Sequence, residues 1–129
     1  MLKSFLAKIY AGIISRQVYS WANNPFDSQD KVFKELIQQA KNTKFGKDHQ
    51  FDQIKSYSDF RHHVPVRDYE GLKDYIQLIR NGDLDILWKG TPLYFAKTSG
   101  TTSGAKYIPI TKESMPYQIS AAKEALLLY

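Results

Sequence analysis

The stretch Leu93-Tyr94-Phe95-Ala96-Lys97-Thr98-Ser99-Gly100-Thr101-Thr102-Ser103-Gly104-Ala105-Lys106-Tyr107-Ile108-Pro109-Ile110 decides how this chain is read. Leu93 to Ala96 has the aromatic and aliphatic content of a strand, and Tyr107 to Ile110 reads as a second one. Pro109 has no N–H to donate, which places that strand at an edge. Between them, Thr98 to Lys106 gathers hydroxyl residues, two glycines and a terminal lysine. The reading is a polar loop joining two antiparallel strands.

That loop has the chemistry of an anion site. Glycine lets backbone amides approach an anion closely and accepts positive φ. Successive amides in such a turn form a concave nest, and hydroxyls add donors. Lysine supplies a point charge for phosphate oxygens. A Ser- and Thr-rich hairpin connector with an incidental lysine has the same composition. The segment is not a Walker loop, which needs four residues between its glycines and lysine directly after the second. Here three residues separate Gly100 from Gly104, and Ala105 precedes Lys106. It also lacks the three-glycine pattern of dinucleotide folds.

Outward from the loop, the chain reads as mostly helical. Leu2, Leu6, Ile9 and Ile13 recur at helical spacing with Lys3 and Lys8 off the stripe, so residues 1–22 are expected to form a covering helix that ends near Asn23-Asn24-Pro25. Asp27 or Ser28 is placed to cap a second helix with Val32, Leu36, Ile37 and Ala40 inward. Asn42 to His49 reads as a loop. Ser56 and Asp59 bracket a short helical turn that stops at Val64-Pro65. Asp68 is placed to cap a third long helix carrying Tyr69, Leu72, Tyr75, Ile76 and Ile79, which Asn81-Gly82 closes. Thr111 is placed to cap a last helix with Met115, Ile119, Ala122, Leu126 and Tyr129 on one face. The apolar ending Leu126-Leu127-Leu128-Tyr129 has no polar cap, so the chain reads as the front of a longer protein.

Composition narrows the classes. The 129 residues are 43% hydrophobic and 24% charged, a globular balance with room for one core. The absence of cysteine excludes a disulfide scaffold, a thiolate zinc site and a cysteine nucleophile, and fits a reducing cytoplasm. The net charge of +5 comes from dispersed lysines and arginines with no basic strip interleaved with aromatics, so nucleic acid is not the expected partner. Lys3, Lys8 and Arg16 interrupt the apolar N-terminus, which leaves no signal peptide and no run of about twenty apolar residues for a membrane span.

Other residues invite chemistry and favour plainer roles. His49, His62 and His63 lack a ligand pattern and read as surface or capping residues, so no metal site is expected. Asp83 and Asp85 read as turn residues after Gly82. Tyr69, Tyr75 and Trp88 read as core. Arg67 reads as a partner for nearby acids.

Phe95 to Thr111 resembles the first ATP motif of the adenylate-forming superfamily. Its Ser103-Gly104-Ala105-Lys106 ending, followed by Tyr107-Ile108-Pro109-Ile110-Thr111, is similar to the version in the auxin-responsive (Gretchen Hagen type) acyl-acid amido synthetases. Ala40, Thr43, Phe45-Gly46-Lys47 and His49 also fit that family, as do Val64-Pro65-Val66-Arg67-Asp68-Tyr69-Glu70 and Gly82-Asp83 with Asp85-Ile86-Leu87-Trp88. The resemblance runs from about residue 28 to the end.

It implies an α/β fold, with residues 1–129 forming the N-terminal part of one adenylate-forming (luciferase-like) large domain. It implies a cytoplasmic ligase that uses ATP and Mg2+ to activate a carboxylic acid as an acyl-adenylate and joins it to an amino acid amine. By position, Thr98, Ser99, Gly100, Thr101, Thr102, Ser103 and Gly104 would cradle the phosphates, and Lys106 would offer them charge. No catalytic residue is expected in this segment. The adenine, acyl and catalytic-lysine residues would lie beyond Tyr129, in the missing C-terminal part of the same chain, so the segment alone should be inactive. The alternatives are a non-catalytic anion- or nucleotide-binding module and a peripheral membrane protein held by residues 1–21.

Overall fold

The computed structural model describes residues 2–99 and 104–127. In chain order it has α1 (Leu2–Ala22), α2 (Pro25–Ala40), α3 (Lys44–Asp48), α4 (Tyr57–His63), a 3-10 turn (Glu70–Leu72), α5 (Lys73–Arg80), β1 (Tyr94–Thr98), β2 (Lys106–Ile110) and α6 (Ser114–Leu127). The mostly helical reading with a small antiparallel β element therefore holds. Two compact units divide the chain: Met1–Val32 with Glu113–Tyr129, and Phe33–Lys112.

In the first unit α1 packs with α6. Among the described side chains of α1, which leave out Leu2 and Leu6, the buried one is Ile14, whereas Ile9 and Ile13 stand about half exposed at 49% and 50%. The inward stripe expected through Ile9 and Ile13 is thus off by part of a turn. Tyr10, Ile13, Ile14, Val18 and Tyr19 put apolar residues on several sides of α1, so spacing alone does not single out one face. α2 begins at Pro25, with Asp27 in its first turn, instead of being capped at Asp27 or Ser28. Proline suits the opening of a helix because its missing N–H would have no partner there. α6 starts at Ser114, three residues after the expected cap Thr111, and holds Pro116 in its first turn.

The second unit holds two clusters. Ile37, Ala40, Phe51 and Ile54 form one, with Phe33, Phe45, Phe60, Val64 and Trp88 packed against it. The inward line of α2 is therefore Phe33, Ile37 and Ala40, and Leu36 is 51% exposed against expectation. Ile76, Ile79 and Ile86 form the other, joined by Tyr69, Tyr75, Phe95 and Tyr107. Burying each such isoleucine favours the fold by about 1.5–3 kcal/mol.

Asn42 to His49, expected as loop, contains α3. Thr43 caps it, its hydroxyl accepting the Gly46 N–H at 3.0 Å. The next two orphan donors, the Lys44 and Phe45 N–H groups, find the carbonyls of Asp85 and Ile86 at 2.7 and 2.9 Å. A five-residue helix is therefore held by a segment some forty positions away, and local sequence could not show it. α4 is the short helical turn expected between Ser56 and Val64, and its start is a capping box: Ser56 accepts from the Asp59 N–H, and Asp59 accepts from the Ser56 N–H.

The single long helix expected from Asp68 is instead the 3-10 turn followed by α5. Asp68 still accepts the Gly71 N–H at 3.0 Å, so it caps the turn. α5 ends as the sequence predicted. Gly82 has φ +99, its N–H reaches the Ile79 carbonyl, and the Asp83 N–H reaches that of Leu78, a Schellman closure. The Asp85 loop closes on itself: the Asp85 carboxylate accepts the Gly90 N–H at 2.7 Å.

Among the described residues no helix is long and apolar enough to cross a membrane.

Candidate functional site

β1 and β2 form a two-stranded antiparallel ribbon with Tyr94 opposite Ile110, Phe95 opposite Pro109, Ala96 opposite Ile108, Lys97 opposite Tyr107, and Thr98 opposite Lys106. Both strands are edges, which is where Pro109 is tolerated. The strands extend to Thr98 and begin at Lys106, so Thr98 and Lys106 form the last pair before the loop. The ribbon thus sets Thr98 and Lys106 opposite each other at the loop's mouth.

Ser99 follows Thr98 and is exposed, and so is Gly104 on the returning side. Gly104 has φ +80, a conformation that favours glycine, and a Cβ there would meet nothing within 4 Å. The demand for glycine at 104 is thus one of backbone shape. Gly100, Thr101, Thr102 and Ser103 lie outside the described residues.

The mouth is tied to the helical part by aromatic residues. The Tyr69 hydroxyl accepts the Tyr107 backbone N–H at 2.9 Å. The Lys106 ammonium lies over the Tyr69 ring, 5.6 Å from its centre. The Arg80 guanidinium lies over the Tyr107 ring at 4.2 Å, and Phe95 meets that ring edge-on with centres 6.4 Å apart. Tyr69 was expected as core. It does pack against the Ile76 cluster, but it also contacts the loop's lysine and bonds the Tyr107 amide 38 positions away, links that no local pattern signals.

A polar network lies behind this part of the unit. His49, expected at the surface or as a cap, is the C-cap of α3 and is only 5% exposed. Its Nδ1 donates to the Phe45 carbonyl at 2.8 Å, and its Nε2 accepts from Arg67 at 3.0 Å, which fixes the tautomer. Arg67, expected to neutralise acids, is used on this histidine. Tyr75 donates its hydroxyl to Asp48 at 2.8 Å, and Lys44 pairs with the same carboxylate at 2.9 Å. The bonds from Lys44 and then Tyr75 hold the Asp48 carboxyl below its ordinary range. Burial, reinforced by the bond to Asp48, pushes the Tyr75 phenol up.

Other polar candidates take structural places. His62 and His63 sit in the last turn of α4 with rings nearly perpendicular, and no group of three potential metal ligands occurs among the described residues. Asp85 has φ +55 and serves its own turn.

The chain is 35% identical over 94 residues to indole-3-acetic acid-amido synthetase GH3.2 of Arabidopsis thaliana, covering 71% of this chain. It is 33% identical over 104 residues to indole-3-acetic acid-amido synthetase GH3.15 of the same plant, covering 78% of this chain. It spans 17% of the length of each of these relatives. The GH3 family N-terminal domain matches residues 14–127, which takes in the hairpin, the Thr43 cap, the Arg67-to-Glu70 segment and the Asp85 loop. The chain belongs to the GH3 family, matching its N-terminal domain over residues 14–127.

Proposed function

We propose that this chain is the opening part of an adenylate-forming acyl-acid amido synthetase and that Thr98 to Lys106 is its ATP-phosphate loop. The observation that carries the reading is the pairing of Thr98 with Lys106 at the mouth of a glycine-containing hairpin. The names of the Arabidopsis relatives, which pair an acid with amide formation, support the reaction class.

In this reading the carboxylate oxygen of the acid attacks the α-phosphorus of ATP. The new C–O–P linkage forms as the bond to the β-phosphate oxygen breaks, and pyrophosphate leaves. An amino acid amine then attacks the acyl carbon, loses its proton and expels AMP. Negative charge grows on the leaving pyrophosphate, and preorganised donors facing it lower the barrier. From this chain those donors are the Lys106 ammonium, the hydroxyls of Thr98 and Ser99, and the loop that Gly104 turns back. Magnesium bound with the triphosphate would supply further charge against it. Residues 1–129 then form part of the larger α/β adenylating domain, with the adenine, acyl and transfer chemistry elsewhere in the full-length protein. The acid, the amino acid and a cytoplasmic location belong to the same proposal.

ATP–pyrophosphate exchange on the full-length protein, with magnesium and a panel of aryl, indole and fatty acids, tests it. Acid-dependent exchange that falls at least tenfold in Lys106→Ala, with the fold intact, is the expected result. Absence of exchange with every acid in the panel, from a folded protein that binds ATP, would leave the loop a nucleotide site and favour a non-catalytic binding module.

A further inference from the structure

A lysine that meets phosphate must be close enough to act and restrained enough not to lose its freedom only on binding. Lysine carries large rotamer entropy, so a free side chain at the loop's mouth would give up part of its binding energy to ordering. The structure shows such a restraint. The Lys106 ammonium lies 5.6 Å from the centre of the Tyr69 ring. A ring face attracts an ammonium without neutralising it, so the charge stays available to an anion. A carboxylate partner would instead compete with phosphate.

The same tyrosine also fixes the backbone that carries the lysine. Its hydroxyl accepts the N–H of Tyr107, the residue after Lys106, at 2.9 Å. Tyr107 is further held between Arg80, 4.2 Å from its ring centre, and Phe95. Tyr69 itself lies just before the turn that Asp68 caps and packs against the Ile76 cluster. It is therefore anchored by residues outside the ribbon as well as by the ribbon itself.

We infer that Tyr69 is the positioning residue for Lys106, its ring holding the ammonium at the loop's mouth and its hydroxyl fixing the strand beneath. This rests on the triphosphate reading of the loop.

Two measurements test it. In the 129-residue chain, the Lys106 ε-methylene protons should show an upfield ring-current shift, retained in Tyr69→Phe and lost in Tyr69→Leu. In the full-length protein, a double-mutant cycle is read on MgATP affinity and on KM against kcat. Tyr69→Leu should raise KM for MgATP about five- to tenfold. In a Lys106→Ala background the same substitution should have almost no further effect, because a residue that acts through Lys106 has nothing left to position. Tyr69→Phe, which keeps the ring and its packing, should fall between wild type and Tyr69→Leu and keeps the cycle readable if the leucine variant does not fold. Independent, multiplying effects of the two substitutions would overturn the inference while leaving the loop a phosphate site. An unshifted Lys106 methylene in the wild-type chain would overturn it as well. Unchanged MgATP affinity in Lys106→Ala would remove the triphosphate reading and the inference together.

Discussion

Replacing Gly46 by alanine sets two effects of opposite sign against each other. Gly46 lies inside α3, where alanine is favoured over glycine by about 1 kcal/mol. Yet a Cβ at Gly46 would stand 3.0 Å from the carbonyl carbons of both Ala40 and Lys41 and would overlap the Ala40 oxygen. These are backbone atoms and cannot rotate away. The Ala40 oxygen also accepts the Thr43 N–H at 3.0 Å and the Thr43 hydroxyl at 2.7 Å, and Thr43 is 1% exposed. Moving that carbonyl forfeits about two hydrogen bonds at about 1 kcal/mol each, and overpacking adds about 1–3 kcal/mol. Against the helical gain, Gly46→Ala should destabilise by roughly 2–4 kcal/mol, a large share of the ~5–15 kcal/mol typical of a domain. Trp88 packs on the neighbouring Ile37 cluster, and the only other tryptophan is Trp21. Urea unfolding followed by Trp88 fluorescence in a Trp21→Phe background should show a midpoint lower by roughly 1–3 M. Gly12→Ala is the control. A Cβ there meets nothing within 4 Å in α1, so it should be neutral or stabilising by up to about 1 kcal/mol. Gly46→Ala within about 0.5 kcal/mol of the parent would refute the close-approach argument.

Thr43→Val keeps the side-chain shape but removes a donor to Ala40 and an acceptor for Gly46, and should cost about 2–3 kcal/mol in the same urea titration; Thr43→Ser should recover most of it. Gly82→Ala forces φ near +99 on a side-chain-bearing residue and should cost about 1–2 kcal/mol, visible as faster amide exchange at the Asp83 and Gly82 amides that close α5. The Asp59 carboxyl is held below its ordinary range by the Lys55 amide and then the Ser56 hydroxyl and amide, and Asp48 by Lys44 and Tyr75. Both folded values lie below the unfolded ones, so their stabilisation is present above the ordinary carboxylate range and lost as pH falls through the lowered values. Unfolding midpoints measured down the acid limb should flatten in Asp59→Asn, and an unchanged limb would remove the box from the explanation. Tyr75 and Lys44 are raised, so their contribution is present at neutral pH and disappears as pH rises past the ordinary tyrosine and lysine ranges.

What could be read from sequence alone was what short-range chemistry determines. The ribbon was placed to within two residues because apolar runs and a polar loop are local signals. Ser56 with Asp59, and Gly82 after α5, were legible because a cap is specified within four positions. α3 was not, because its first amides are satisfied by Asp85 and Ile86 and its glycine is fixed by the passing backbone of Ala40. The capping role expected for His49 holds, but its burial was not legible for the same reason: its ring is engaged by Arg67, eighteen positions on. The candidate site shows the same division. Lys106 and the glycines stand in the loop itself, but Tyr69 and Arg80 reach it only through the fold.

The segments that resembled a family without carrying chemistry have a common physical role in the structure. Thr43 to His49, Arg67 to Glu70 and Gly82 to Trp88 are far apart in sequence, yet hydrogen bonds join them. Lys44 and Phe45 bond to Asp85 and Ile86, and Arg67 bonds to His49. Asp68 caps the turn beside Tyr69, and Tyr69 bonds to Tyr107 on β2. Each contact joins the α3 region, the turn or the ribbon to the next, so together they form a brace behind the hairpin. A loop of glycines and hydroxyls has little apolar surface with which to hold its own position. Its geometry must come from the strands at its ends, and a two-stranded ribbon alone is marginal in water. Damage to the brace and loss of the lysine should therefore differ in kind. Gly46→Ala or Thr43→Val should weaken phosphate binding in proportion to lost folded population and recover when stability is restored elsewhere. Lys106→Ala should weaken binding at full stability and not recover.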